Sequence, residues 1–89
     1  MTEGHARPDP VLQLLGATIR QYRQQRGLTQ KTLAAKVGLD RVYISQIELG
    51  KRNISIRALL HIAAVLETSV SMLLMPLEKH PELYTPSME

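Results

Sequence analysis

The stretch DRVYISQIELGKRN, residues 40–53, interleaves apolar residues with side chains that donate or accept hydrogen bonds. Arg41, Tyr43, Ser45 and Gln46 sit close together in it, and Lys51, Arg52 and Asn53 follow a glycine. Their chemistry is recognition of charge and of hydrogen-bonding edges. Guanidinium and ammonium groups suit an anionic partner. Residues 17–57 carry nine Lys or Arg against Asp40 and Glu48, a net charge of +7, which leaves the remainder of the chain at −4 and the whole at +3. A basic middle between acidic ends suggests a polyanion as ligand for the middle.

Catalytic patterns are not evident. The chain has no cysteine, so it has neither a thiolate metal site nor a cysteine nucleophile. His5, His61 and His80 are too widely separated to suggest a metal-ligand cluster, and His61 is expected at a core edge or a subunit interface. There are two aspartates, no Ser or Thr in a recognised pairing with His, and no glycine-rich phosphate loop. The expectation is a protein that is not an enzyme and uses no cofactor. No apolar run approaches the ~18–20 residues needed to span a bilayer. MTEGHARPDP lacks the apolar core of a secretion signal, and the lack of cysteine fits a reducing cytoplasm.

The elements that would position these residues are helical. Residues 1–10 read as a flexible arm, with Pro10 near a helix start. Leu12, Leu15, Ile19 and Tyr22 give helical spacing over 11–26, stopped at Gly27. Thr29 caps a helix over 30–37 with Leu33, Ala34 and Val37 inward and Gly38 at its end. Asp40 caps 41–48, where Ile44 and Ile47 face inward and Gly50 follows. Ser55 caps 56–66, with Ile56, Leu59, Leu60, Ala63 and Leu66 as the apolar stripe. Thr68 or Ser69 opens a short fifth helix containing Val70, Leu73 and Leu74. Pro76 and Pro81 limit its length, and 78–89 reads as a loose tail. No alternating run suggests a sheet. The fold expected is all-α, a compact domain of four to five helices over 11–77.

Two helices crossing steeply over a short turn need a small residue at the contact and a residue tolerant of positive φ in the turn. Ala34 and Gly38 meet these needs. Leu33, Val37, Leu39, Ile44 and Ile47 lock the pair, which leaves Arg41, Val42, Ser45 and Gln46 outward. Glu48 is expected to form an exposed ion pair with Arg20 or Arg23, and Arg20, Arg23 and Lys36 to be solvated charges.

Residues 15–74, and above all LTQKTLAAKVGLDRVYISQIELGKRN, resemble the lambda-repressor-like, Cro/XRE-type helix-turn-helix family, and within it the controller proteins of restriction–modification systems. The resemblance implies a dimeric transcriptional regulator that binds a palindromic operator in double-stranded DNA, usually controlling its own and adjacent genes as repressor or activator. RNA polymerase is a further candidate partner, and the setting implied is the cytoplasm of a prokaryote, with a phage or plasmid origin also in view. Carried onto this chain, it gives Arg41, Val42, Ser45 and Gln46 as base-reading residues. Arg41 would address guanine, Val42 a thymine methyl group and Gln46 adenine or a phosphate. Gln30, Tyr43, Lys51, Arg52 and Asn53 would meet the phosphate backbone, with a base as the alternative target of Arg52. Ile54 stands where such a loop often carries proline, and Val42 is more apolar than usual at its position.

VSMLLMPL, residues 70–77, is denser in apolar residues than a terminal helix of a small monomer requires. Val70, Met72, Leu73, Met75 and Leu77 are therefore expected to close the core in part and to form a symmetric dimer interface. A rival reading gives this segment to a different protein, making the chain an antitoxin-like interaction module. Nonspecific architectural DNA binding is a third reading, disfavoured by the modest total charge.

Overall fold

The computed structural model describes residues 8–87, so the first seven residues of the expected arm lie outside it. Five α-helices follow in order: α1 (Pro10–Gln25), α2 (Gln30–Val37), α3 (Arg41–Glu48), α4 (Ile56–Val65) and α5 (Val70–Glu78), then a single 3₁₀ turn at Pro81–Leu83. Each α-helix opens on a side-chain cap. Asp9, Thr29, Asp40, Ser55 and Ser69 each accept a backbone N–H from the first turn, which satisfies donors that have no intrahelical acceptor. Asp9 and Pro10 therefore belong to α1 rather than to an arm. Gly38 has φ 72°, the left-handed conformation that ends α2 and starts the turn into α3.

The core is a continuous cluster built from Leu15 and Ile19 of α1, Leu33 and Ala34 of α2, Ile44 and Ile47 of α3, Leu59, Ile62, Ala63 and Leu66 of α4 and its end, and Leu73 and Leu77 of α5. Helix α1 packs on α3 and α5, α2 on α3 and α4, and α4 on α5. Helix α3 is thus held from behind by α1 and α2. Gly16 makes the α1–α3 contact close: a Cβ there would lie 2.2 Å from the Ile47 carbonyl oxygen. A glycine inside an otherwise helical pattern is the sequence trace of that approach.

Four expectations change. Ile56 and Leu60 are 71% and 54% exposed, not inward. The buried stripe of α4 runs through Ala58, Leu59, Ile62 and Ala63, and Leu60 is turned about 100° away from Leu59. His61 is exposed as well, which removes the core edge and leaves the subunit interface of its two expected places. Leu73 is wholly buried and Leu77 nearly so; both close the core of their own chain, so they are not available to a dimer interface. Finally, the tail is folded as far as Thr85. Leu83 packs against the core, and the Thr85 N–H and hydroxyl both donate to the Pro81 carbonyl, at 2.9 and 2.6 Å. Helix α5 also continues two residues past Pro76.

Among the described residues no single helix is long and apolar enough to cross a membrane, and no group of three or more His, Asp or Glu could hold a metal ion.

Candidate nucleic-acid interface

Helix α3 buries Ile44, Ile47 and Glu48 and turns the rest of its surface outward. Arg41 and Val42 are exposed, Val42 by 51%, while Tyr43, Ser45 and Gln46 are half-buried. The Asp40 carboxylate accepts the Val42 N–H at 2.8 Å and fixes the start of the helix. At the other end, Gly50 has φ 74°. Its N–H donates to Ile47 O and the Lys51 N–H donates to Gln46 O, a Schellman closure that satisfies the last carbonyls and launches the loop carrying Lys51, Arg52 and Asn53. All three loop residues are exposed.

Leu49, the residue at the end of α3, is 53% exposed. It lies seven residues after Val42, hence on the same helical face, and sequence reasoning gave it no role. Its signal was the spacing 42, 45, 49, which continues the outward stripe by one more turn.

Behind this surface lies a hydrogen-bonded chain that begins in the interior. The Arg23 guanidinium donates to Glu48 through both Nε (2.6 Å to Oε2) and Nη2 (3.1 Å to Oε1), and its Nη1 donates to the Leu28 carbonyl at 2.7 Å. Their side chains are 10% and 2% exposed. This is a buried, bidentate pair, in place of the solvated Arg23 and the exposed pair expected. Burial is tolerable because the carboxylate is matched on both oxygens and the guanidinium has a third acceptor. Gln30 Nε2 also donates to Glu48 Oε1, at 3.0 Å. With its amide thus oriented, Gln30 turns Oε1 toward Arg41 Nη1, 3.5 Å away. An interior ion pair therefore sets the rotamer of the residue that neighbours Arg41.

One N–H of the Gln30 amide is engaged by Glu48, which leaves its second N–H and the backbone N–H groups that open α2, where the helix end is positive, to face an anion. A second cluster lies nearer the loop. Arg52 Nε donates to Gln46 Oε1 at 2.8 Å, and the Arg52 guanidinium carbon lies 5.0 Å from the centroid of the Tyr43 ring.

The structure thus brings Gln30, Arg41, Tyr43, Gln46 and Arg52 into two bonded groups around α3, with Val42, Ser45 and Leu49 on the helix itself and Lys51 and Asn53 at its edge. It does not bring α5 there. Met72 and Met75, 44% and 40% exposed, line a shallow groove of about 310 Å³ with Leu14, Thr18, Tyr22 and His80. Val70 is half-buried.

Such a surface can present fixed hydrogen-bond donors and cations to a polyanion with readable edges. A helix-turn-helix family model matches residues 19–73, a span that contains α2, the turn and α3. The control protein C.SmaI of Serratia marcescens is 38% identical over 64 residues, which cover 72% of this chain and 76% of that one. Among solved structures, the restriction-modification controller protein C.AhdI of Aeromonas hydrophila superposes with a TM-score of 0.68 at 39% identity, covering 70% of this chain and 94% of that one. The biofilm master regulator SinR, solved in complex with DNA, matches with a TM-score of 0.65 at 41% identity over 67% of this chain and 97% of that one.

Proposed function

The chain belongs to the helix-turn-helix family of transcriptional regulators, of the XRE and controller type, and from that premise we propose that it acts as a homodimer on a two-fold symmetric operator. The observation that carries this reading is the outward face of α3, where Arg41 and Val42 stand exposed over a helix anchored by the buried Arg23–Glu48 pair. Arg41 reads guanine through O6 and N7, and Val42 with Leu49 offers apolar contact to thymine methyl groups. Ser45 adds a hydroxyl to the base-facing set. Lys51, Asn53, Tyr43 and the N-terminus of α2 at Gln30 meet phosphates and fix the register.

The dimer interface is drawn from the exposed part of the last helix, Met72 and Met75, with half-buried Val70 beside them and the neighbouring edge of α1. Two-fold symmetry would set two copies of α3 about one turn of DNA apart, ~34–36 Å. The operator lies near the protein's own gene, as the controller proteins it resembles suggest, and occupancy there represses or activates according to promoter position. Contact with RNA polymerase belongs to the activating case. The cellular setting is the cytoplasm of a prokaryote.

Selection from a random double-stranded DNA library at near-physiological salt tests the reading. A symmetric enriched motif with half-sites about a turn apart is the expected result. Recovery of unenriched DNA, bound only in proportion to its charge, would remove it.

A further inference from the structure

Arg52 sits in the loop after α3, exposed, on a side chain with four rotatable bonds. Such a side chain normally samples many rotamers. Here it is held in two places at once. Its Nε donates to Gln46 Oε1 at 2.8 Å, and its guanidinium lies over the Tyr43 ring with 5.0 Å from Cζ to the centroid. Tyr43 is itself half-buried and packed against the core, so the ring is a fixed platform. The backbone leading to Arg52 is fixed too, because the Lys51 N–H donates to the Gln46 carbonyl at 2.9 Å. Residue 46 therefore restrains Arg52 through its backbone oxygen and through its side-chain oxygen.

A phosphate, with acceptor oxygens pointing several ways, can be met by a guanidinium from many directions, singly or through two N–H groups. Reading a base edge fixes the plane. With Nε committed to Gln46, Arg52 has Nη1 and Nη2 left, two donors side by side at the end of the fork. That pair matches the O6 and N7 acceptors of guanine in the major groove. It does not match adenine, which offers one acceptor and one donor, because a guanidinium has no acceptor. Gln46 adds to the same bias. Its Oε1 already accepts from a cation, and its NH₂ group only donates.

We infer that Gln46 is a positioning residue for Arg52 rather than a reader of adenine, and that Arg52, seated on Tyr43, is a second guanine-reading residue rather than a phosphate clamp. This rests on the operator-binding reading above. Gln46 and Arg52, seated on the Tyr43 ring, then present donors beside Arg41, and each half-site contains two guanines read independently.

The test uses the full chain and the operator recovered by selection, with 7-deazaguanine replacing each guanine in turn to delete N7. Affinity is measured for the wild type and for Gln46→Met, Gln46→Glu and Arg52→Ala. The wild type should lose roughly tenfold at each of two guanines per half-site, within the range of a good Arg–guanine contact. Gln46→Met and Arg52→Ala should lose the sensitivity at one guanine and keep it at the other, the one read by Arg41. Gln46→Glu should keep both, since a carboxylate accepts from Arg52 Nε at least as well as an amide oxygen. Its overall affinity falls uniformly because it adds a negative charge near DNA. Thermal melting should hardly change in any of the three, because none is a core residue.

Full sensitivity at both guanines in Gln46→Met would overturn the positioning role. So would Gln46→Glu behaving like Gln46→Met while an adenine in the site becomes indifferent to 7-deaza substitution, since that pattern belongs to direct adenine reading by the Gln46 amide. A wild-type chain with no preferred sequence is a different result, and it strikes down the operator-binding reading itself.

Discussion

Arg23 and Arg26 lie one turn apart near the end of α1, and each meets a glutamate from a distant part of the chain. Arg23 meets Glu48 in the interior, at 2.6 Å with side-chain exposures of 10% and 2%; Arg26 meets Glu67 at the surface, at 2.9 Å with exposures of 42% and 71%. Both arginines also donate to main-chain carbonyls, Arg23 to Leu28 and Arg26 to Leu66 and Glu67. The two regions use the same chemical groups for different ends. The buried pair ties α1 to α3 and passes its orientation through Gln30 to Arg41, whereas the exposed pair dresses a turn that the backbone of α4 already closes. Burial separates an anchor from an ornament.

The largest way to break this contrast is Glu48→Ala. It leaves the Arg23 guanidinium buried with the Leu28 carbonyl as its remaining partner, and removing one member of a buried pair costs about 3–5 kcal/mol. A domain of this size has a total stability of order 5–15 kcal/mol, so the variant should melt far lower and at low concentration lose its fold. Urea denaturation read by circular dichroism measures it. A loss below about 1 kcal/mol would mean that the pair is solvated in solution. Gly16→Ala attacks the same interface without touching charge. Gly16 lies on the α1 face that also presents Arg23, two turns on, and the new methyl group would overlap the Ile47 carbonyl. Overpacking of this kind costs about 1–3 kcal/mol, and the same titration reads it. If the loss matched that of a surface Gly→Ala change, α1 and α3 would be farther apart than described.

How much of this contrast was legible beforehand depends on whether it is local. Caps and stops are encoded within four residues, which is why Thr29, Asp40, Ser55, Gly27, Gly38 and Gly50 could all be read directly. The outward set on α3 follows from helical spacing and the inward need of Ile44 and Ile47. Glu48 was harder, since its depth depends on α1 arriving over it, a contact 25 residues away in the chain. Ile56 and Leu60 failed for the same reason: a helix with apolar residues on more than half its circumference does not say which side its neighbours will cover. Leu73 and Leu77 were assigned to an interface because spacing cannot separate a core-facing leucine from a partner-facing one. The bond between Arg52 and Gln46 joins a loop to a helix six residues back, and its existence rests on where Gly50 sends the chain.

The functional side of the comparison is sharpened by changes that leave the anchor intact. Arg41→Ala should cost ~1–3 kcal/mol of binding to the specific operator, with melting unchanged because Arg41 is exposed. A gel-shift titration against operator and scrambled DNA distinguishes this from a general loss. Equal loss on both would reassign Arg41 to the phosphates. Lys51→Ala should do what Arg41→Ala does not. It should weaken binding to every sequence, and the slope of log K against log salt should shrink by about 0.9 for each lost phosphate contact. An unchanged slope would take Lys51 off the backbone.

The smallest effect belongs to the exposed pair, and its sign is informative. Glu67 has φ 58°, a left-handed conformation that a residue with a Cβ adopts at a cost of roughly 1–2 kcal/mol. The position ends α4, with the Glu67 N–H on Ala64 O and the Thr68 N–H on Ala63 O. An exposed ion pair is worth ~0–1 kcal/mol, so the bond to Arg26 does not by itself account for a strained residue here; the main-chain closure does. Glu67→Ala deletes the pair and keeps the strain, and should lose at most ~1 kcal/mol. Glu67→Gly deletes the pair and relieves the strain, at the entropic cost of a more flexible unfolded chain, about 0.5–1 kcal/mol. Comparing the two variants with each other cancels the pair altogether. Glu67→Gly should be the more stable by a few tenths to about 1 kcal/mol, measured by paired thermal melts in low and high salt. Salt should leave that difference unchanged, since neither variant retains the charge. A Glu67→Ala variant as stable as Glu67→Gly would mean that the turn relaxes to a conformation tolerant of Cβ, and that Arg26 and Glu67 together hold it in the left-handed one.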